Sequence, residues 1–163
     1  MSDPLGLNVV RNLTDKLYDK RKLGAQEVET LVKDLNAEGD KERILAILDY
    51  LIVNFSTSPT GNHRKGALIA LAAVAIALGN VGTLLSTLFF LNNAEQDSFP
   101  LLSKLVPPVL KSFADQDPRV RYYACEAMYN ISKVARSKIL PFFNEIFDGL
   151  FKVGLSSSTE DYH

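Results

Sequence analysis

The stretch from Phe99 to Arg136 constrains the fold more than any other. Its first part places apolar residues at Leu101, Leu102, Leu105, Val106, Val109, Leu110 and Phe113, a stripe with the three- and four-residue spacing of a helix. Its second part repeats the stripe at Val120, Ala124, Ala127, Met128, Ile131, Val134 and Ala135. Between them stands Asp115-Gln116-Asp117-Pro118. Asp117 suits an N-cap, because its carboxylate accepts from free N–H groups of the first turn, and Pro118 suits the first helical position, where its missing N–H costs nothing. The spacing predicts two helices joined by one tight acidic turn.

The order Asp115, Asp117, Pro118, Val120, Arg121, Ala124 resembles a HEAT repeat, and Pro107-Pro108 fits the proline-bent first helix of such repeats. The pattern recurs. Arg64, Ala67, Ala70, Leu71, Val74 and Ala77 align with Arg121, Ala124, Ala127, Met128, Ile131 and Val134 at a constant offset of 57 residues. Lys22, Ala25, Val28 and Val32 align with Arg64, Ala67, Ala70 and Val74 at an offset of 42. HEAT repeats run about 40–47 residues, so the longer interval carries an excess between Gly79 and Pro100. The expected fold is all-α, a right-handed α-solenoid of HEAT/armadillo-like hairpins over 1–153. The hairpins are expected at about 8–38, 41–78 and 100–136, with a half-repeat at 137–153, an atypical apolar insertion at about 80–98 and a disordered polar tail at 154–163.

Within that frame, Asn8–Tyr18 reads as a short helix and Asp19-Lys20-Arg21-Lys22 as a charged turn. A second helix ends near Gly39. A third opens at Asp40 or Lys41 and presents Ile44, Leu48, Leu51, Ile52 and Phe55 on one face. Ser56–Asn62 is a loop, and Gly66–Leu78, apolar nearly all round, is a helix buried on several sides. Gly66–Leu91 contains no charged residue and is a membrane-span candidate by hydropathy, interrupted by Gly79-Asn80. After Arg136 a last helix carries Ile139, Leu140, Phe142, Phe143, Ile146, Phe147, Leu150 and Phe151 with no partner helix behind it, so the chain reads as truncated or as ending in an atypical tail.

Composition narrows the function classes. Apolar residues make up 47% of the 163, enough for one folded core, and the net charge of −1 gives no bulk attraction to nucleic acid. The single cysteine, Cys125, excludes an intramolecular disulfide and reads as a small buried residue, since no histidine is placed to activate it. No secretory signal is expected in Met1–Asn12. The sequons at Asn12, Asn54 and Asn130 fall in or beside helices and read as unused. His63 and His163 stand too far apart to found a metal site, and Gly79-Asn80-Val81-Gly82 lacks the lysine of a phosphate loop. No catalytic, cofactor-binding or metal-ligating residue is assigned, and no cofactor is expected.

The residues singled out are structural or interactive. Asp115, Asp117, Pro118, Arg119 and Arg121 form the turn, where Arg121 is expected to join a ladder of bonds to acidic turn groups such as Asp115 or Asp117. Tyr122, Glu126, Tyr129 and Lys133 share a helix face expected to pack on a following repeat, with a partner surface as the alternative. Lys16, Lys20, Arg21, Lys22, Arg64 and Lys65 read as solvated turn charges or as a basic edge for a partner or anionic lipid.

Three blocks together point to a narrower family. They are Leu13–Lys22, His63–Ala73 with Ile76–Gly79, and Arg119–Arg136, which contains the distinctive Arg121-Tyr122-Tyr123-Ala124-Cys125-Glu126-Ala127. Leu140–Leu150 extends the match. The chain resembles the N-terminal region of the vacuole-morphology HEAT scaffolds, the associated regulators of PIKfyve. The segment near Val81–Asn93 and the tail after Val153 depart from the family pattern. The resemblance implies a non-catalytic scaffold for the kinase that makes phosphatidylinositol 3,5-bisphosphate and for its opposing phosphatase. It also implies a peripheral position on the cytoplasmic face of endosomes and vacuoles. Self-association and phosphatase binding belong to the family's C-terminal part, which has no counterpart here. A small membrane-inserted helical protein using Gly66–Leu91 and a peptide-binding solenoid adaptor are the alternatives.

Overall fold

The computed structural model describes residues 4–79 and 99–160, and every regular element among them is helical. The first three helices are α1 (Leu7–Leu13), α2 (Tyr18–Glu38) and α3 (Lys41–Leu51), the last continuing into a π-helical turn at Ile52–Ser56. They are followed by α4 (Gly61–Gly79), α5 (Phe99–Ser112) and α6 (Pro118–Ala135). A 3₁₀ stretch at Arg136–Phe142 then leads into α7 (Phe143–Glu160).

Each boundary has a local cause. Gly39 ends α2 in the left-handed conformation at φ 77°, where a Cβ would be strained, and its N–H returns to the Asn36 carbonyl. Asp40 caps α3 by accepting the Arg43 N–H at 3.0 Å. Asp117 caps α6 by accepting the Arg119 N–H at 2.8 Å, with Pro118 in the first turn.

Helix α4 is the centre of the molecule. It packs against α2 on one side and α6 on the other, while α1 pairs with α2, the α3 end with α4, and α5 with α6. From Lys65 to Ala75 every residue of α4 except Ile69 is buried. Small side chains are what allow helices to approach it closely: a Cβ on Gly66 would stand 2.0 Å from the Leu13 carbonyl oxygen. The equivalent stripes Ala67–Val74 and Ala124–Ile131 thus both face inward, with Ala67, Leu71, Val74, Ala124, Met128 and Ile131 at most 2% exposed.

Several expectations are corrected. Asp19–Lys22 is not a turn but the start of α2; the turn lies upstream at 14–17, where Asp15 accepts the Leu17 N–H at 2.8 Å, and α1 stops at Leu13. Helix α7 runs to Glu160, past the expected tail start at Gly154, which keeps helical backbone and supplies no stop. The face bearing Tyr122, Glu126, Tyr129 and Lys133 is exposed along its length rather than packed on a neighbour. Of the membrane-span candidate, Gly66–Gly79 is the buried half of α4, and the remainder, with the apolar insertion at 80–98, lies outside the described residues. Among the described residues no helix is long and apolar enough to cross a membrane.

Candidate functional site: the turn edge and its basic, aromatic groove

Three of the inter-helix turns, those before α2, α4 and α6, share one construction. In each, a polar side chain accepts the N–H two residues on: Asp15 from Leu17 at 2.8 Å, Ser58 from Thr60 at 3.2 Å, Asp115 from Asp117 at 2.9 Å. Six residues after it, an arginine reaches back with Nη1. Arg21 donates to the carbonyls of Asp15 and Lys16 at 2.8 and 2.9 Å, and Arg64 to those of Ser58 and Pro59 at the same distances. Arg121 donates to those of Asp115 and Gln116 at 3.0 and 3.4 Å. Carbonyls left open where a chain turns need donors, and a guanidinium supplies several from one rigid plane.

This geometry changes the arginine position alone in the first repeat, since Ala25, Val28 and Val32 stay buried in step with Ala67, Ala70 and Val74 at the offset of 42. Arg21, not Lys22, is the counterpart of Arg64, at an offset of 43 residues; Arg21 is buried at 4% exposure and Lys22 is exposed. It also reassigns the ladder. The guanidinium that meets the Asp115 carboxylate is that of Arg64, in a two-point bond with Nε at 2.7 Å and Nη2 at 3.0 Å. An arginine of this kind closes its own turn and reaches forward to the next one, so Arg121 lies one step beyond the position expected of it. Arg121 lines a second groove with Glu145, Asp148 and Lys152 of α7.

The start of α4 floors a groove of about 600 Å³. Lys16, Tyr18 and Arg21 form one wall, Arg119, Tyr122 and Tyr123 the other, and Asn62 and Lys65 the floor. Tyr123 crosses above α4: its hydroxyl accepts from Arg21 Nη2 at 3.2 Å and its ring lies 5.6 Å from the guanidinium carbon. Tyr18 stacks on Tyr123 at 6.1 Å, and Tyr122 meets it edge-on at 5.8 Å. Burial first, and then the carboxylate of Glu126, push the Tyr18 phenol up. Lys65 stands 3.7 Å from Asp117. No lining residue is acidic, and the N-termini of α2, α4 and α6 all open here, so the local field is positive.

Of the residues predicted to form a partner surface, the groove brings together Arg21, Lys65 and Tyr122. Lys20 and Lys22 are exposed outside it, Arg64 is engaged with Asp115, and Tyr129 is 65% exposed two turns further along α6. Arg119, expected as a turn residue, is exposed and joins the groove wall. Tyr18, Asn62 and Tyr123 were not expected; they meet only because α2 and α6 flank α4. Among the described residues no group of His, Cys, Asp and Glu is arranged to hold a metal.

A second surface is apolar. Phe143, Phe147 and Phe151 of α7 are 55–62% exposed, with Leu140 and Leu150 beside them, and Phe143 stacks on Phe147 at 6.1 Å. The opposite side of α7 is seated close to α5, where a Cβ on Gly149 would stand 2.3 Å from the Phe113 ring.

Paired helices throughout the described residues, with a polar turn edge and an exposed apolar face on α7, define the class of helical interaction proteins. Residues 62–160 match the family model described as the vacuolar 14 Fab1-binding region, and the chain belongs to that family. It is similar to the Protein VAC14 homolog of Arabidopsis thaliana, at 47% identity over 160 residues covering 96% of this chain. It is 42% identical over 155 residues to the vacuole morphology and inheritance protein 14 of Saccharomyces cerevisiae, covering 94% of this chain. With the Protein VAC14 homolog of Schizosaccharomyces pombe it shares 44% identity over 147 residues, 89% of this chain. The chain spans 16–19% of the length of these relatives. No solved structure gives a significant match.

Proposed function

We propose that this chain is a non-catalytic scaffold segment, a HEAT-type right-handed α-solenoid, that engages the phosphatidylinositol 3-phosphate 5-kinase. On this reading the hairpins are 8–38, 41–78 and 100–136, and 137–153 begins the next. The observation that carries it is the match of residues 62–160 to a Fab1-binding region, within which Phe143, Phe147 and Phe151 of α7 are more than half exposed. Large exposed apolar patches mark interaction surfaces. The scaffold supports synthesis of phosphatidylinositol 3,5-bisphosphate and endosome and vacuole homeostasis, and sits peripherally on the cytoplasmic face of those membranes. The opposing phosphatase is a partner of the larger assembly, through parts of the relatives that lie outside this stretch.

Affinity capture of the kinase on the immobilised chain tests the reading. The wild type retains the kinase, and the double substitution F147E/F151E releases it while leaving the helical circular dichroism unchanged. Equal capture by both chains sinks the assignment of the α7 face. Carbonate extraction addresses the membrane-inserted alternative, since a peripheral scaffold is washed off.

A further inference from the structure

The two junctions between hairpins are built on the same arginine but completed differently. At the second junction the outer edge of Arg64, Nε and Nη2, is filled by Asp115 of the following turn. At the first junction the residue in Asp115's place is Ser58, and it bonds locally, to the Thr60 N–H and to His63 Nδ1 at 3.2 Å. Arg21 is left with Nη1 closing its own turn and Nη2 on the Tyr123 hydroxyl, and its Nε–H is buried without an acceptor among the described residues. A guanidinium edge in that state is a two-point receptor lacking its planar anion.

We propose that the groove at the first junction receives a carboxylate from an acidic segment of a partner protein, which bonds the Nε–Nη2 edge of Arg21 as Asp115 bonds Arg64. Three observations converge on this occupant. The molecule itself shows the complex, in Asp115 on Arg64. The groove lining carries Lys16, Lys65 and Arg119 and no acidic residue. The carboxylates around it are engaged elsewhere: Asp117 stands 3.7 Å from Lys65, Glu126 and Asp19 act on Tyr18, and Asp15 accepts the Leu17 N–H. Tyr18, Tyr122 and Tyr123 supply flat, rigid surface for the backbone of an extended segment. Because Nε is buried and Nη2 already holds the Tyr123 hydroxyl, the entering carboxylate takes the place of the phenol on Nη2. The tyrosine hydroxyl, whose proton meets no acceptor among the described residues, then donates to the carboxylate.

The inference rests on the scaffold reading only in taking the carboxylate from a partner protein, and its test needs no kinase. The full chain is titrated with acetylated hexaglutamate, and the arginine Nε–H resonances are followed by NMR. The Arg21 signal shifts saturably and that of Arg64 does not. Ser58→Asp supplies the missing carboxylate within the chain: it reproduces the Arg21 shift without peptide, raises Tm by roughly 2–4 °C and weakens the peptide at least tenfold. Ser58→Asn, which keeps the local bond to Thr60 but adds no charge, binds hexaglutamate within about twofold of wild type. Arg119→Glu weakens it at least fivefold. An unmoved Arg21 signal overturns the proposal. So does undiminished peptide binding by S58D, or displacement of the peptide by inorganic phosphate or phosphatidylserine vesicles at equal charge concentration. Loss of kinase capture by F147E/F151E with peptide binding intact refutes neither claim, so the two failures are distinguishable.

Discussion

The junction of α4 with α6 and the junction of α2 with α4 use the same parts to different ends. Both begin with an arginine six residues after a turn side chain that accepts the N–H two residues on. At the later junction the rung is complete: Arg64 holds Asp115 by two short bonds, in a pair whose side chains are only 18% and 11% exposed. At the earlier one the rung is open, and Tyr123 from α6 reaches over α4 to hold Arg21 instead. A charge that is largely buried must be answered, by a carboxylate where one is present and by whatever dipole can reach it otherwise. Both junctions rest on apolar contact and on close approach, at Gly66 against Leu13 and at Gly79 against Val134, and the later one adds an ion pair.

The largest expected effect is at the complete rung. Asp115→Ala strands the Arg64 guanidinium and also removes the acceptor of the Asp117 N–H. Removing one partner of a largely buried ion pair typically costs about 3–5 kcal/mol. Allowing for the residual exposure, a loss of about 3 kcal/mol is expected, which for a chain of this size lowers Tm by roughly 6–12 °C. Ser58→Ala, at the equivalent place, removes only a neutral local acceptor and costs about 1 kcal/mol. Thermal denaturation of the two variants side by side checks the asymmetry. Equal losses would mean that the Arg64–Asp115 bond adds nothing that the open rung lacks.

Next in size is the close approach at the earlier junction. Gly66→Ala drives a methyl group to 2.0 Å from the Leu13 carbonyl oxygen, a backbone atom that cannot step aside without moving the end of α1. Overpacking of this kind costs about 1–3 kcal/mol. The expected outcome is a lower midpoint in urea with an unchanged slope, together with faster amide hydrogen exchange in α1 and not in α6. Exchange that rises uniformly would show that the two junctions do not unfold separately.

Much of this was legible in the sequence. The stripes of Leu105–Phe113 and Val120–Ile131, the Asp117-Pro118 cap, the Gly39 stop and the buried character of Gly66–Leu78 follow from local chemistry and helical spacing alone. The start of α2 did not. Lys20, Arg21 and Lys22 are equally compatible with a solvated turn and with the first turns of a helix, and only the Arg21 bonds to Asp15 and Lys16 decide between them. The same ambiguity paired Lys22 with Arg64, although the buried stripe of Ala25, Val28 and Val32 does align with Ala67, Ala70 and Val74. A signal was present in the six-residue spacing of Asp15 with Arg21, Ser58 with Arg64 and Asp115 with Arg121; the serine in the middle example hid it. The groove was out of reach for a different reason. Tyr123 and Arg21 are 102 residues apart and meet only across a third helix, so no local pattern records their contact.

The smallest effect isolates that contact. Tyr123→Phe keeps the ring stacked on Tyr18 and over the guanidinium, and removes only the oxygen that accepts from Nη2. A single hydrogen bond to a charged donor is worth about 1.5–3 kcal/mol when its loss leaves the donor buried. Here the donor borders a groove that water enters, so about 1 kcal/mol is expected, a fall in Tm of roughly 2–4 °C. The sharper readout is the combination with Ser58→Asp. If the new carboxylate answers Arg21, removing the phenol from S58D costs less than removing it from the wild type, and the double-mutant cycle shows a non-zero coupling where two independent bonds would show none. Strict additivity would mean that residue 58 and Tyr123 address different edges of the guanidinium, and that the two junctions differ by more than one side chain.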